Sequence, residues 1–235
     1  GGALVIVESA DVRIVDSIFK LNIACIGGGA VASTVSSSLS QFSGTASLSS
    51  RSGCDIKNTV FDQNSLCLTQ DMGEREASGG ALLFVRSDAV FVNVDIHNNT
   101  ANFGGAVALE LSSLDTESTT IAGNRADTDG GAIHAISSEI NFRASTSANN
   151  TAVGGSGGAI WGMFSHLKVV SSELSGNVAA GSKSNGGACF FTGRSEIHFQ
   201  SSRLNDNTAT KNGGGIACSE CRSLDIEKGS SLVSN

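Results

Sequence analysis

The sequence predicts an all-β protein, a single-stranded parallel β-helix (β-solenoid) of about eight coils with 25–29 residues each. Three observations predict this fold. A glycine doublet recurs at a nearly fixed interval, an asparagine follows each doublet at a constant distance, and apolar residues between them are spaced two apart. The composition fits a chain of tight corners, because its 235 residues include 29 Gly and no Pro.

The glycine doublet is usually followed by alanine and then by an apolar residue. The doublets begin at Gly1, Gly28, Gly79, Gly104, Gly130, Gly157, Gly186 and Gly213. Successive doublets are 25 to 29 residues apart, except for one interval of 51 residues. A period in the twenties is typical of solenoids, and glycine allows the positive φ of a tight corner.

The asparagine marker is preceded, three residues earlier, by an apolar residue in all but one unit. The asparagine column contains Asn22, Asn64, Asn99, Asn124, Asn150, Asn177, Asn207 and Asn235. In every unit that carries both markers, the asparagine lies 20 to 22 residues after the first glycine. Asparagine tolerates the αL conformation, so we expect it to form the bend itself, and its amides to hydrogen-bond from coil to coil as a ladder.

Between the markers, apolar pairs such as Ile140 and Phe142 indicate strands, and we expect three strands per coil. Residues 1–235 are then one continuous segment, which we expect to be an internal part of a longer protein. Residues 28–43 are too few for a full coil and form either an insertion or a degenerate coil, with Gly44 opening the next unit. Residues 65–78 are expected to form the longest corner loop.

The paired motifs Gly-Gly-Ala-(Ile/Leu/Val) and Phe-x-x-Asn resemble the repeat of the chlamydial polymorphic membrane proteins (Pmp). The second motif is literal at Phe19–Asn22 and Phe61–Asn64, with Ile or Leu as its first residue in most other units. The resemblance implies a right-handed parallel β-helix that autotransporters display at the cell surface. It also implies secretion, an extracellular or cell-surface location, and adhesive or structural display rather than a reaction.

Composition excludes some partners. The net charge of −7 argues against nucleic acid, and no apolar run reaches the ~20 residues of a membrane-spanning helix. We therefore expect the partners to be other protein chains or further coils of the same protein, and surface glycans as a further candidate. No cofactor is expected.

A candidate binding face lies in the column just after the apolar residue of each doublet. This column contains His134, Trp161 and Phe190 in adjacent coils. Such aromatic side chains either stack a sugar ring or receive a protein partner, or another part of the protein covers them. The four histidines, His97, His134, His166 and His198, do not share a column, which disfavours a metal site.

Pectin-cleaving enzymes also use β-helices, so catalysis is an alternative. It requires clustered carboxylates in a groove. Asp127 and Asp129 share a corner, but we expect no strand with two outward acidic residues beside an arginine. The leading prediction is therefore a non-catalytic structural or adhesive segment with no catalytic and no metal-binding residue. A polysaccharide-active enzyme and a glycan-binding module without turnover are the alternatives.

Cysteines and sequons complete the candidate residues. Cys25 and Cys67 follow marker asparagines at equivalent corners and are a plausible disulfide. Cys218 and Cys221 form either a local disulfide or two small buried thiols. Asn98 and Asn149 are N-glycosylation candidates, since each begins an Asn-Asn-Thr sequon just before a marker asparagine.

Overall fold

The computed structural model describes residues 3–7, 11–24, 28–34, 52–66 and 78–235. Their regular structure consists entirely of short parallel β-strands arranged in four sheets, which confirms the predicted parallel β-solenoid. Each turn contributes one strand to every sheet, except that the last turn has none in the fourth, so strands that pair are one turn apart in sequence. None of the described residues forms a helix that could cross a membrane.

The first two sheets have eight strands each. Sheet 1 follows the glycine doublets and consists of Leu4–Val7, Val31–Thr34, Leu82–Val85, Val107–Glu110, Ile133–Ile136, Ile160–Met163, Cys189–Thr192 and Ile216–Ser219. Sheet 2 consists of Asp11–Val15, Ser52–Lys57, Ser87–Val92, Ser113–Glu117, Glu139–Arg143, His166–Val170, Glu196–Gln200 and Ser223–Ile226.

The other two sheets flank the asparagine column. Sheet 3 precedes it and consists of Ile18–Lys20, Val60–Asp62, Asp95–His97, Thr120–Ala122, Thr146–Ala148, Glu173–Ser175, Arg203–Asn205 and Ser231–Val233. Sheet 4 follows it and consists of Ile23–Ala24, Ser65–Leu66, Thr100–Ala101, Arg125–Ala126, Thr151–Ala152, Val178–Ala179 and Thr208–Ala209. The prediction of three strands per coil was wrong because these two-residue strands are too short to show a hydrophobic period.

The regular part of the solenoid is shorter than eight equal coils. From residue 79 onward, six turns follow one another, and the last of them has no strand in sheet 4. In the second turn, Val31–Thr34 occupies its place in sheet 1 and Ser52–Lys57 its place in sheet 2, so this turn opens at Gly28. The predicted irregular segment 28–43 therefore begins as a regular strand, whereas Gly44 lies outside the described residues. Ser65–Leu66, expected in a loop, is a strand.

Three of the four corners share one construction. A residue with φ between about 48° and 64° makes the bend, and the next residue turns inward and is buried, usually with a polar side chain. At the asparagine corner the bend residue is the one before the marker, for example Asn98 with φ of 58° before the buried Asn99. The expectation that the marker asparagine itself adopts αL was therefore wrong, because its side chain must point inward to reach the next turn.

The marker asparagines form a continuous ladder along the solenoid. The side-chain Oδ1 of Asn124 accepts hydrogen bonds from the backbone N–H of Asn99 at 2.9 Å and from its Nδ2 at 3.0 Å. Asn124 Nδ2 donates in turn to Asn150 Oδ1 at 3.0 Å and to the carbonyl of Ile96 at 3.0 Å. The same bonds link each neighbouring pair of markers from Asn22 to Asn235, so every inward amide between them is satisfied although it is buried.

Two hydroxyl ladders serve the other αL corners. Between sheets 2 and 3, the backbone N–H of Ser145 donates to Ser172 Oγ at 3.0 Å, and that of Ser172 to Ser202 Oγ at 3.2 Å. Between sheets 1 and 2, the column contains Ser87, Ser112, Ser138, Ser165 and Ser195, linked in the same way. Sequence reasoning missed this second column, although a serine recurs eight or nine residues after every first glycine except Gly213.

The fourth corner uses the glycine doublet in place of a ladder. The first glycine takes a positive φ, 60° at Gly104. A Cβ on the second glycine, Gly105, would collide with the carbonyl of Gly131 and the backbone of Arg125 in the next turn. The doublet is therefore required by backbone-to-backbone approach as well as by the bend.

The core is a set of in-register apolar columns inside the four sheets. Phenylalanines fill the widest part and are almost completely buried, among them Phe61, Phe84, Phe91, Phe142, Phe191 and Phe199. The Phe19 and Phe61 rings of successive turns stack with centroids 5.0 Å apart. Since each inner residue lies over its counterpart, one turn buries the apolar surface of the next.

We expect Asn124→Ala to lower the free energy of unfolding by about 3 kcal/mol, because it leaves the buried backbone N–H of Asn99 without a partner and removes the ladder bonds to Asn99 Nδ2 and to the carbonyl of Ile96. The measurement is the midpoint shift in guanidinium denaturation followed by circular dichroism.

Asn212→Ala is the matched control. The side-chain Nδ2 of Asn212 also donates a hydrogen bond to the amide oxygen of its counterpart in the preceding turn, Asn185, at 2.8 Å, but Asn212 is exposed. The control should shift stability by about 0.5 kcal/mol or less. Equal midpoint shifts for the two variants would contradict the idea that the buried asparagine ladder stabilises the fold more than an exposed hydrogen bond does.

Candidate functional site

The three residues of the predicted binding face are brought together on the outer surface of sheet 1. The strands Ile133–Ile136, Ile160–Met163 and Cys189–Thr192 pair in register, with His134 opposite Trp161 and Trp161 opposite Phe190. Along each strand the first and third residues are buried and the second and fourth are half-buried on the outside. His134, Trp161 and Phe190 are therefore neighbours in one outward column.

The rings in this column stack on one another. The His134 and Trp161 ring planes are nearly parallel, 3° apart, with centroids separated by 4.5 Å. The Phe103 ring lies on His134 at 5.0 Å with a tilt of 54°. The sequence pattern did not indicate Phe103, because this residue belongs to the glycine corner. Its ring reaches the column because Ala108, which pairs with His134 on the side away from Trp161, has a small side chain.

This stacking limits what the column can bind. A sugar ring stacks on an aromatic face, but one face of Trp161 is covered by His134 and both faces of His134 have an aromatic neighbour. Contact with a protein side chain therefore fits this surface better than sugar stacking does.

Further apolar residues extend the aromatic column. Ile136 and Met163 are half-buried on the same outer face, and Phe164 at the adjoining αL corner is 56% exposed with φ of 52°. The Phe164 ring lies over Gly193 of the next turn, where a Cβ would be 2.8 Å from it. We call Phe103, His134, Ile136, Trp161, Met163, Phe164 and Phe190 the aromatic face.

The aromatic face keeps its histidine neutral. Burial lowers the pKa of His134 from 6.5 to about 4. Its neighbours across the sheet, Ala108 and Trp161, and the adjacent Phe103 carry no charge that would stabilise the imidazolium. A neutral imidazole is therefore part of this surface at neutral pH.

A second surface, the outer face of sheet 2, is polar. A groove of about 500 Å³ is lined by Asp115, Glu117, Asn141, Arg143 and Lys168 among others. Asp115 and Glu117 are both exposed on one strand, and Glu117 pairs in register with Arg143. The expectation that no strand carries two outward acidic residues beside an arginine was wrong. Glu117 and Arg143 each lie 13 residues after the first glycine of their turn, so the spacing already placed them side by side.

The remaining histidines and acidic residues have separate local roles. Asp62 is buried on sheet 3, where Lys20 Nζ at 2.8 Å and His97 Nδ1 at 3.0 Å contact its carboxylate. Burial by itself would raise the pKa of Asp62, but hydrogen bonds from Lys20 and Asn98 and the charges of His97 and Lys20 together hold it below its usual value.

The other charged residues also have structural partners. Asp129 Oδ1 accepts the backbone N–H of Ser156 at 2.7 Å, and burial raises the pKa of its carboxyl despite that bond. On sheet 2, His166 contacts Glu196 at 3.2 Å and His198 contacts Glu227 at 3.4 Å. Within the described part of the chain, no three His, Cys, Asp or Glu side chains converge as metal ligands.

The structure places the cysteines in three situations. Cys218 and Cys221 are joined in a local disulfide with their Cα atoms 5.9 Å apart. Cys54 and Cys189 are buried free thiols, and burial raises the pKa of Cys54 to about 11 and that of Cys189 further. Both are therefore small core residues. Cys25 and Cys67 lie outside the described residues.

The two sequon asparagines occupy the same corner. Asn98 and Asn149 are exposed αL residues, with φ of 58° and 55°, that immediately precede the buried ladder residues Asn99 and Asn150. They are separated along the solenoid by one turn, whose corner residue is Gly123. The structure thus brings these two candidates close to one another.

The pH dependence of stability tests the state of His134. Between pH 6.5 and about 4 the unfolded chain binds a proton at this residue that the folded chain does not, so stability falls as the pH is lowered through this interval. We expect His134→Phe to keep the ring stack and to flatten this part of the profile. The measurement is the melting temperature at a series of pH values.

His166→Gln is the control, because His166 is exposed and faces Glu196. Removing it should leave the acid-side fall attributed to His134 in place. A His134→Phe profile parallel to that of the unaltered protein would show that His134 does not resist protonation.

Comparison with known proteins finds one family repeat that matches two stretches of this chain. The Chlamydia polymorphic membrane protein repeat matches at residues 118–136 and 201–219. Each match runs from the αL corner before sheet 3, across the ladder residue Asn124 or Asn207, to the glycine doublet and the strand of sheet 1 that follows. No curated protein and no solved structure matches the chain. The chain is a parallel β-solenoid in which two stretches match the Chlamydia polymorphic membrane protein repeat.

Proposed function

We propose that the chain is a non-catalytic structural and adhesive segment of a large secreted or cell-surface protein. The observation that carries the proposal is the unbroken stacking of six turns, in which three parallel sheets and the asparagine ladder run the length of the regular part, and the fourth sheet and two shorter hydroxyl ladders support most of it. At about 4.8 Å per turn, such a stack holds surface residues at fixed intervals along a stiff rod.

The surface location is supported by the repeat that the chain carries. The matching repeat is described as that of Chlamydia polymorphic membrane proteins. The net charge of −7 is consistent with a chain that stays soluble and avoids nucleic acid.

The aromatic face is the proposed contact surface for other protein chains. Five of its members lie half-buried on three consecutive strands, Phe103 and Phe164 lie at the adjoining corners, and its polar groups are few. Apolar patches of this kind on stable proteins mark interaction sites, and aromatic residues and methionine are enriched in the centres of interfaces.

Binding by the aromatic face can be tested at Phe164. We expect Phe164→Asn to weaken attachment of the purified chain to its target surface by about tenfold, a loss of about 1.4 kcal/mol, since the exposed ring is removed. Asparagine suits the αL backbone, so the fold is retained. The measurement is binding of the labelled chain to intact cells or extracellular matrix.

Leu21→Asn is the matched control, because Leu21 is also an exposed apolar αL residue, 64% exposed, but at the asparagine corner. It should bind as the unaltered chain does. Equal binding of all three proteins would contradict a role for the aromatic face, and equal losses would point to general hydrophobic adsorption.

The polar groove of sheet 2 supports a second candidate, a polysaccharide-active enzyme. Asp115 and Glu117 point outward from alternate positions of one strand, and Asn141 Nδ2 donates to Asp115 Oδ1 at 2.8 Å. Glycoside hydrolysis requires two carboxyl groups that flank the scissile bond, about 5 to 10 Å apart. However, both side chains are exposed to water, whereas a general acid is usually buried.

The two functions are separated by a reducing-end assay on uronans and neutral polysaccharides. We expect no release of new reducing ends by the unaltered chain. Release that disappears in the double variant Asp115→Asn, Glu117→Gln, and persists in the control Asp88→Asn of the same sheet, would replace the structural proposal with the enzymatic one.

A further inference from the structure

We propose that the corner between sheets 3 and 4 is a built N-glycosylation site, with Asn149 as its principal acceptor and Asn98 as a second one. The inference rests on the proposed secretion of the chain, since the modification takes place in a secretory compartment. It goes beyond that function because it assigns a covalent modification to one line of residues. The sequon supplies the recognition pattern, and the corner decides whether a glycan can be carried in the folded state.

At this corner, two adjacent asparagines point in opposite directions, one to solvent and one into the core. In each Asn-Asn-Thr sequon the first asparagine is an exposed αL residue, and the second is a ladder residue that is completely buried. Asn150 uses its Nδ2 for bonds to Asn177 and to the carbonyl of Ile121. The ladder residue is therefore protected, while the acceptor points to solvent.

The residues above and below the acceptors leave room at the corner. Along the solenoid the bend residues run Asn98, Gly123, Asn149, Gly176, so a glycine follows each acceptor one turn later. The side-chain Oδ1 of Asn149 occupies the space that a Cβ on Gly176 would fill, and Oδ1 of Asn98 lies 3.0 Å from such an atom on Gly123. Because these glycines have no side chain, they leave space for the Oδ1 atom of each acceptor amide.

The two acceptors differ in how free their Nδ2 atoms are. Among the described residues, the Asn149 side chain makes no hydrogen bond, and the bend residues on both sides of it are glycines. Asn98 Nδ2 donates to Asp62 Oδ1 at 3.3 Å and lies 3.1 Å from His97 Nδ1. A glycan on Asn149 therefore disturbs no contact, whereas one on Asn98 leaves a single N–H for these partners.

The chemistry is transfer of an oligosaccharide from a polyisoprenyl diphosphate carrier. A bond forms between Asn Nδ2 and the anomeric carbon of the first sugar, and the bond between that carbon and the diphosphate oxygen breaks. The carrier diphosphate leaves, and the amide loses one proton. Neither oxidant nor reductant is required.

The equivalent corner one turn after Gly176 provides a sharp test. Its sequence is Asp206-Asn207-Thr208, which has the same bend, ladder and threonine but aspartate in the acceptor position, with φ of 54°. The variant D206N therefore introduces a sequon at a corner with the same bend, where the bend residue one turn later is Ser234, and the additional change Ser234→Gly supplies the glycine that follows each natural acceptor. Thr151→Ala and Thr100→Ala remove the two natural sequons, and Thr208→Ala is the matched control that removes none.

The experiment is to secrete the full chain from a eukaryotic cell line and to map the modified asparagines by mass spectrometry before and after peptide-N-glycosidase treatment. We expect glycans on Asn149 and Asn98, the loss of one glycan in each sequon variant, no loss in Thr208→Ala, and one additional glycan in D206N. The melting temperature of the protein carrying a glycan on Asn149 should equal that of the deglycosylated protein.

An unmodified Asn149 in the folded, secreted chain would overturn the proposal. So would a D206N protein that gains no glycan even when Ser234→Gly is added, because its corner then has the same bend residues on both sides as that of Asn149. The test is independent of the adhesive function, since Phe164→Asn is assayed on chain made without glycans. Failure of attachment therefore leaves the glycosylation result standing, and the reverse is also true.

Discussion

The structure depends on one repeated interaction, in which an inward polar side chain accepts the backbone N–H of the same residue one turn earlier. The αL bend before each ladder residue turns the chain, and the ladder side chain then satisfies an N–H that the bend has removed from the sheets. Burial of this polar line is tolerated because almost every group in it has a partner. The hydrogen-bond pattern therefore fixes register as well as stability, since a turn that slipped by one residue would break all three ladders.

This constraint leaves the outer faces free to differ. Sheet 1 carries rings and aliphatic side chains on its outside, whereas sheet 2 carries charged side chains on the same kind of strand. The charged pairs on sheet 2 are exposed and contribute little to stability. Surface properties can therefore vary from turn to turn without cost to the fold, which suits a scaffold that presents contact residues at regular spacing.

The aromatic face illustrates how stacking changes the meaning of a sequence pattern. His134, Trp161 and Phe190 are placed in one column by the period alone, and the structure keeps them there. The period does not say that the planes of His134 and Trp161 lie face to face, nor that Phe103 closes the other side of His134. Those contacts depend on side-chain rotamers and on the space beside Ala108.

The sequence by itself determined the solenoid, its period, and the columns of asparagine and glycine, because each turn must repeat the same residues to stack on itself. It did not determine which residue takes the positive φ, as both Asn98 and Asn99 are compatible with αL until the inward direction of one is known. It also hid the fourth sheet and the serine ladder at Ser112 and Ser138, because a two-residue strand has no period and serine is common on surfaces. Only the tertiary structure decided these points, since they depend on where one turn lies over the next.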